Sequence, residues 1–364
     1  MDWKNHRQKN GMESNRSSTL GRLTAAAPRQ KITRANGRDR NASRPQGNSM
    51  NKPVHISIGA TSKRVDIANV VAFTFFNTAD LPARSQLDVA MGWRDSELGG
   101  TGPALLVGKK KIDFGFGNPV GLSAMAYLGR GFYKKKIPLR AVGVFPTWDR
   151  LIFAVRKETG IRSLEEIKAR KYPLRISTRR RLKLQTTVYA IEEVLRAYGM
   201  SFRDIESWGG KVMEASSPSS KDRKNHIQSG AVDAVFDEGV KSWGQTALDA
   251  GMRFLPIDEA AERRMKRIGF PSAMLTREHY PKLDEDIKTV DFSGWTFFCH
   301  ADLPNPIAYN MAKAVDLCHE QIPVDHFDKR PMTMLEFCRG GEAGQLNIPL
   351  HPGAKKYFKE KGYL

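Results

Sequence analysis

The chain has 364 residues, 40% of them hydrophobic, with a mean hydropathy of −0.48 and no run of about 18 apolar residues, so the sequence predicts no membrane-crossing helix. Lys and Arg outnumber Asp and Glu by 59 to 39, a formal net charge of +20, which raises the question of a nucleic-acid or acidic-membrane partner. Residues 1–52 hold 12 of those cations against 3 acids, so nearly half the excess sits in one terminal segment and nucleic acid is not the expected partner of the body.

Residues 1–49 are rich in Arg, Asn, Ser and Gly and poor in large apolar side chains. Such a composition cannot bury enough surface to offset chain entropy, and it reads as a disordered basic tail, 1–52. It does not read as a secretory signal: its best apolar stretch, Leu20 to Pro28, is broken by Gly21, Arg22 and Thr24. Met50 is a second candidate start, with everything before it translated from an upstream position.

From Val54 the pattern turns regular. Val54–Ile58 reads as a strand, Asp66–Ala79 as a helix with Ile67, Val70, Val71 and Phe75 on one stripe, and Leu87–Met91 as a strand. Leu98–Val107 reads as a helix, Ile112–Phe116 as a buried strand, and a helix follows Asn118-Pro119 to Leu128. Leu139–Phe145 and Leu151–Val155 are strands. Ser163 with Glu166 three residues on has capping-box spacing. Leu174–Ser177 is a strand, Leu182–Tyr198 a long amphipathic helix stopped by Gly199, and Ser220–Ser229 a helix. Val232–Phe236, Lys241–Ala250 and Phe254–Pro256 continue the alternation. Trp295–His300 is a strand, and helices cover Pro306–Glu320 and Pro352–Lys361. Repeated strand–helix order predicts α/β layers with largely parallel sheets.

Strand-to-helix turns leave free N–H groups with partial positive charge behind them, which suits an anion. The turns at Gly59–Ser62, Asn118–Ser123 and Ser177–Thr178 are of this kind. Thr61, Ser62, Asn118 and Thr178 offer small polar groups there, and Arg94 and Arg179 offer guanidinium forks for a carboxylate. Asp237 and Glu238 follow a strand end and either accept an ammonium or hydroxyl from the ligand or cap the next helix. Trp148 either covers a ligand or seals a hinge. Lys109–Lys111 and Lys134–Lys136 read as solvated surface charge.

Cys299, Cys318 and Cys338 fit neither a disulfide framework nor a zinc site, and read as buried small hydrophobes. The chain carries no P-loop, GxGxxG, HExxH or GxSxG motif, so neither an enzyme nor a cofactor or metal site is predicted. Lys183 and His226 are the side chains a catalytic version of the cleft would use.

Four segments taken in order resemble the TAXI family of solute receptors, the extracytoplasmic subunits of one class of tripartite (TRAP) transporters. Leu350-His351-Pro352-Gly353-Ala354, running on to Tyr357, Glu360 and Gly362, is similar to that family's closing helix, in which His351 is structural. Ala126-Tyr127-Leu128-Gly129 with Leu139-Arg140-Ala141, Gly160-Ile161 with Ser163-Leu164, and Gly230-Ala231-Val232-Asp233-Ala234 match three further motifs. The first three ligand loops depart from the family pattern by their added positive charge.

The resemblance implies a two-lobed periplasmic-binding-protein-like fold of type II, with a ligand cleft between lobes. Residues 53–147 plus 259–364 form lobe 1 and 148–258 lobe 2, with crossings near Pro146–Asp149 and Ile257–Ala261. It implies capture of a small organic anion, a carboxylate by the basic loops, for delivery to TRAP-type permease subunits. It also implies a periplasmic location, against which the chain shows no export signal, so a cytoplasmic enzyme or sensor on the same fold (decarboxylase or pyrimidine-precursor synthase) stays the alternative.

Overall fold

A computed structural model describes residues 52–60, 64–91, 99–182, 184–327 and 330–364, all within one compact unit, Asn48–Leu364. In chain order the first half of the architecture is β1 (His55–Ala60), α1 (Val65–Thr78), β2 (Gln86–Met91), α2 (Gly102–Gly108), β3 (Phe114–Gly117), α3 (Val120–Leu128) and β4 (Leu139–Phe145). A second unit follows: β5 (Arg150–Arg156), α4 (Leu164–Ala169), β6 (Arg175–Arg179), α5 (Thr186–Ala197), α6 (Phe202–Ser207), β7 (Lys211–Ala215), α7 (Lys221–Gln228), β8 (Ala234–Asp237), α8 (Val240–Asp249), β9 (Met252–Leu255), α9 (Glu259–Ile268), β10 (Ser272–Leu275) and β11 (Ile287–Asp291). The chain then returns with β12 (Trp295–His300), α10 (Asn305–Cys318), α11 (Met334–Arg339), the hairpin β13 (Gly340–Gly341) and β14 (Gly344–Gln345), and α12 (Pro352–Glu360).

The two sheets share one plan. The first runs β2-β1-β3-β12-β4, with β1 to β4 parallel and β12 antiparallel to both neighbours. The second contains β7-β6-β8-β5 with β9 on the far edge of β5; here β5 is the antiparallel member. The odd strand in each sheet is the one that has just crossed from the other. Helices cover the faces, giving the two-lobed α/β fold.

Local chemistry explains the elements. α1 buries Ile67, Ala68, Val71, Ala72 and Phe75, a stripe at helical spacing. His351 precedes α12, where its Nδ1 accepts the Gly353 N–H at 3.2 Å, and Pro352 opens the helix. The predicted capping box at Ser163 does not close: the Ser163 side chain makes no cap bond, and Glu166 takes the Arg162 N–H instead. A complete capping box stands at Thr333 and Glu336. The helix expected from Leu182 starts at Thr186, because the Gln185 side chain accepts the Thr187 and Val188 N–H groups.

The second sheet takes strands from beyond residue 258, where the sequence reading ends that lobe. β10 pairs with β11, and β11 pairs with β5 at Arg150 and Leu151. α9 also joins this side, packing on α5 with an Arg264–Glu193 ion pair at 2.7 Å. From these pairings we propose a second crossing at Asp291–Trp295 in place of Ile257–Ala261, with lobe limits of 53–147 plus 295–364 and 148–291. The short β10 and β11 carry no clear alternation, and β5, the partner of β11, is distant in sequence.

The lobes are packed against each other. One core cluster holds Leu122 and Leu139 of the first together with Phe153 and Ile176 of the second. Phe132 meets Tyr189 at 4.6 Å between ring centroids, and the Gln345 amide donates to the Ser272 carbonyl at 3.0 Å. Within lobe 1, the fully buried Phe297 on β12 lies between Phe114, Phe116 and Phe145, with ring centroids 4.9–5.8 Å away. Phe297→Ala is expected to lower unfolding free energy by about 3–5 kcal/mol, from lost transfer energy plus the cavity left behind. Urea denaturation checks this; a loss under about 1 kcal/mol would show that the aromatic cluster does not hold the sheet together.

Candidate functional site at the lobe crossings

Two strand-end turns meet the crossing segments. After β3, Asn118-Pro119 carries a cis peptide bond; the Asn118 side-chain amide donates to the Gly294 carbonyl at 2.9 Å, and the Val120 N–H donates to Ser293. After β8, the Gly239 N–H donates to both carboxylate oxygens of Asp149, at 2.8 and 3.0 Å. Gly239 has φ +67°, and a Cβ there would stand 2.4 Å from Pro218, so glycine is required in this turn. The crossings themselves are tied together: Gly294 N–H to the Thr147 carbonyl, Phe292 N–H to the Asp149 carbonyl, and the Asp149 N–H to Ser293 Oγ.

Arg150 anchors this junction. Its guanidinium is fully buried, donates to Asp291 at 3.2 Å and Ser293 at 2.7 Å, and reaches the Glu342 carboxylate at 3.4 Å. It also lies 4.6 Å from the Trp148 ring. Trp148 is buried, donates Nε1–H to Glu342 at 2.7 Å and packs on His279 and Phe327, so it seals the hinge.

The lobe 2 wall holds a dense set of charges. Asp237 is fully buried at the end of β8, with Arg223 Nη1 at 2.5 Å and Arg179 Nε at 3.3 Å. Arg179 also pairs with Glu238. Arg223 donates Nε–H to Ser177 Oγ at 3.1 Å. Two guanidiniums thus face two carboxyls, Asp237 and Glu238, and Asp149 stands beside Glu238 as a third acid. Burial pushes the Asp237 carboxyl above the ordinary range in spite of Arg223 and Arg179. Burial, then the neighbouring Glu238 charge and hydrogen bond, holds the Asp149 carboxyl well above it, while the Arg150 and Gly239 N–H groups pull the other way.

On the lobe 1 side stands Arg64, just before α1 at the C-terminal end of β1. Its guanidinium lies 5.1 Å from the Trp295 ring, the first residue past the second crossing. Nε and Nη1 are buried and find no hydrogen-bond partner among the described residues. Burial lowers its pKa, a sign of a poorly solvated cation.

Several predicted site residues take different roles from those expected. Thr178 is buried and donates its hydroxyl to the Phe236 carbonyl at 3.0 Å, so it ties β6 to β8 rather than facing a ligand. Arg179 is already neutralised by Asp237 and Glu238 and is not a free anion clamp. Asn118 reaches the crossing but spends its amide on Gly294. Asp237 is enclosed by arginines; Glu238, at 16% side-chain exposure, is the more open of the two. Thr61, Ser62, Arg94 and Lys183 lie outside the described residues. His226 sits on α7, away from the crossings. Sequence reading passed over Arg64, Asp149, Arg150, Arg223 and Glu342. The cation-rich run ending at Arg64 was the available signal for the first.

Because the fold raises the Asp149 carboxyl above its ordinary 3.8, this group's contribution to stability is full below that value and drains as pH rises toward the raised native value. Asn at this position accepts from Gly239 and donates to Glu238 with no proton to lose. Asp149→Asn is therefore expected to gain stability over the native protein increasingly as pH rises from about 4 to about 7. Urea midpoints measured across that range test it, and a difference independent of pH counts against the raised Asp149 carboxyl.

Solved structures similar to this chain include the alkanesulfonate-binding protein SsuA from Xanthomonas axonopodis pv. citri bound to MOPS, at 15% identity over 75% of this chain and 76% of that one, TM-score 0.35. PhnD1 from Prochlorococcus marinus in complex with methylphosphonate matches at 12% identity over 86% and 100%, TM-score 0.40. A TctC solute-binding protein from Polaromonas, without ligand, matches at 12% identity over 74% and 85%, TM-score 0.39. The model of the NMT1-like family matches residues 95–362, most of the length, and this chain belongs to that family.

Proposed function

We propose that the protein is a solute-binding receptor of the TAXI type, which closes two lobes over a small organic anion and presents it to a TRAP-type permease on the outer side of the cytoplasmic membrane. The observation that carries this reading is Arg64: a partly buried guanidinium on an aromatic ring, with two N–H-bearing nitrogens open, where β1 ends beside the second crossing. A desolvated guanidinium with open donors gains most from a planar oxyanion, and a carboxylate fits its fork. Thr61, Ser62 and Arg94, outside the described residues, are the further candidates for the anion pole in this reading.

Glu238, backed by Asp149, supplies the opposite pole in lobe 2. Its carboxylate accepts a hydroxyl or ammonium of the same solute. Asn118, Thr178, Arg179 and Asp237 act behind the ligand, holding the two turns in place. A solute gripping both lobes binds the closed arrangement more tightly than the open one, and that difference drives closure about the crossings. The Lys241–Asp325 ion pair at 2.6 Å, from the first turn of α8 to the segment paired with Thr147, adds to the closed state.

A thermal-shift screen of the full chain against small carboxylates, amino acids and neutral analogues tests the reading. A binding carboxylate at a hundredfold excess over Kd stabilises by about 2.7 kcal/mol. Arg64→Ala is expected to remove that shift, while Glu238→Gln weakens only solutes bearing an ammonium or hydroxyl. No shift from any carboxylate, or a solute chemically consumed during incubation, refutes the receptor reading.

A further inference from the structure

We propose that the end of lobe 1 opposite the cleft is a docking surface for an anionic membrane. Two lysine triplets, separated in sequence, are brought side by side there. Lys109, Lys110 and Lys111 form the turn between α2 and β3; Lys134, Lys135 and Lys136 lie on the loop before β4; all six are exposed. The contact that joins them is backbone on side chain: a Cβ at Gly108 would sit 2.5 Å from Ile137 Cγ2, so only glycine lets the turn approach the loop this closely. The Ile137 N–H bonds to the Ala126 carbonyl, and the Ala301 N–H to the Pro138 carbonyl, fixing the loop between α3 and the end of β12.

The sheet places this surface. β3 and β4 flank β12, with Phe114 opposite Cys299 and Leu139 opposite His300. The triplets thus precede the starts of two parallel strands, while the cleft lies at their far ends. β4 has seven residues, which separates the two ends by about 23 Å. Few acids offset the lysines. Asp302 pairs with Lys110 at 3.1 Å, at 70% exposure, and Asp113 is held by the Ser57 N–H and hydroxyl.

Six exposed ammonium groups on two projecting turns suit a diffuse negative potential. Lysine is a flexible point charge, without the planar fork that reads individual phosphates or bases. Clusters of this size are attracted to bilayers carrying anionic lipid, and a solute cleft at the opposite end stays clear of the surface. The inference does not depend on the identity of the solute.

Co-pelleting of the full chain with vesicles of phosphatidylcholine, alone or with about one third phosphatidylglycerol, at about 0.1 M salt tests it. Binding is expected to the anionic vesicles only. Replacing all six lysines by Gln should lower the partition by about tenfold or more with an unchanged urea midpoint. Replacing Arg263, Lys266 and Arg267 on α9 by Gln should leave it nearly as it was. The proposal is overturned if the native chain does not pellet, if the six-lysine variant pellets as well, if the α9 variant falls as far, or if duplex DNA rather than vesicles shows the lysine-dependent binding.

Discussion

Neither sheet is complete without a strand that has just crossed from the other lobe. β12 separates β3 from β4, and β5 separates β8 from β9. Taking out either strand would leave two open edges inside a core and their backbone groups without partners. The crossings are therefore not passive linkers: their residues are continuous with the middle of each sheet. This explains why a guanidinium as buried as that of Arg150 is retained at the first residue of β5. Replacing such a group by hydrocarbon is often tolerated in an ordinary core. At this position it fastens β5, the Asp291–Ser293 segment and the Glu342 hairpin at one point. A hinge needs its pieces registered while the lobes move, and a forked donor provides direction as well as cohesion.

The same logic governs the lobe 2 wall. Arg179 and Arg223 converge on Asp237 across β6, α7 and β8, so their positive charge is consumed internally. What remains toward the cleft is the surplus carboxyl, shared between Asp149 on a crossing and Glu238 on a lobe 2 turn. A proton or a ligand donor satisfies that surplus, and either one binds the turn to the crossing. Lobe 1 presents the opposite imbalance, an under-partnered cation at Arg64. The function proposed above uses these two poles, Arg64 in lobe 1 and Glu238 in lobe 2, on one solute.

Much of the scaffold was legible in the sequence, and the reasons are local. β4, β12, α3 and α12 have bounds set by β-branched and aromatic runs, by glycines at helix ends and by Pro352, all of which act within a few residues. β7, β10 and β11 are not legible because each is short and without clear alternation, and β11 is placed by β5, far back along the chain. The site was less legible for the same reason. Arg179 reads as a free cation until β6 is laid beside β8, which brings it to Asp237, 58 positions away. Thr178 reads as a loop donor until the same pairing turns its hydroxyl to Phe236. The turn at Asn118 between β3 and α3 is legible, because it is encoded by Asn-Pro. The hydrogen bond from Asn118 to Gly294 is not, since that depends on where the second crossing falls.

The excess of positive charge looks different once positions are assigned. A formal +20 suggests a molecule that meets anions everywhere. Yet within the lobe 2 wall the arginines are outnumbered by carboxyls, and around Arg150 the acids Asp291 and Glu342 more than balance it. Among the described residues, exposed cations gather on α9, at Arg263, Lys266 and Arg267, and at the lysine end of lobe 1. In the two proposals above, long-range attraction to a membrane and short-range selection of a solute are separate properties, carried by different residues. The first is screened by salt within about 10 Å, and the second, set among buried groups, is screened far less.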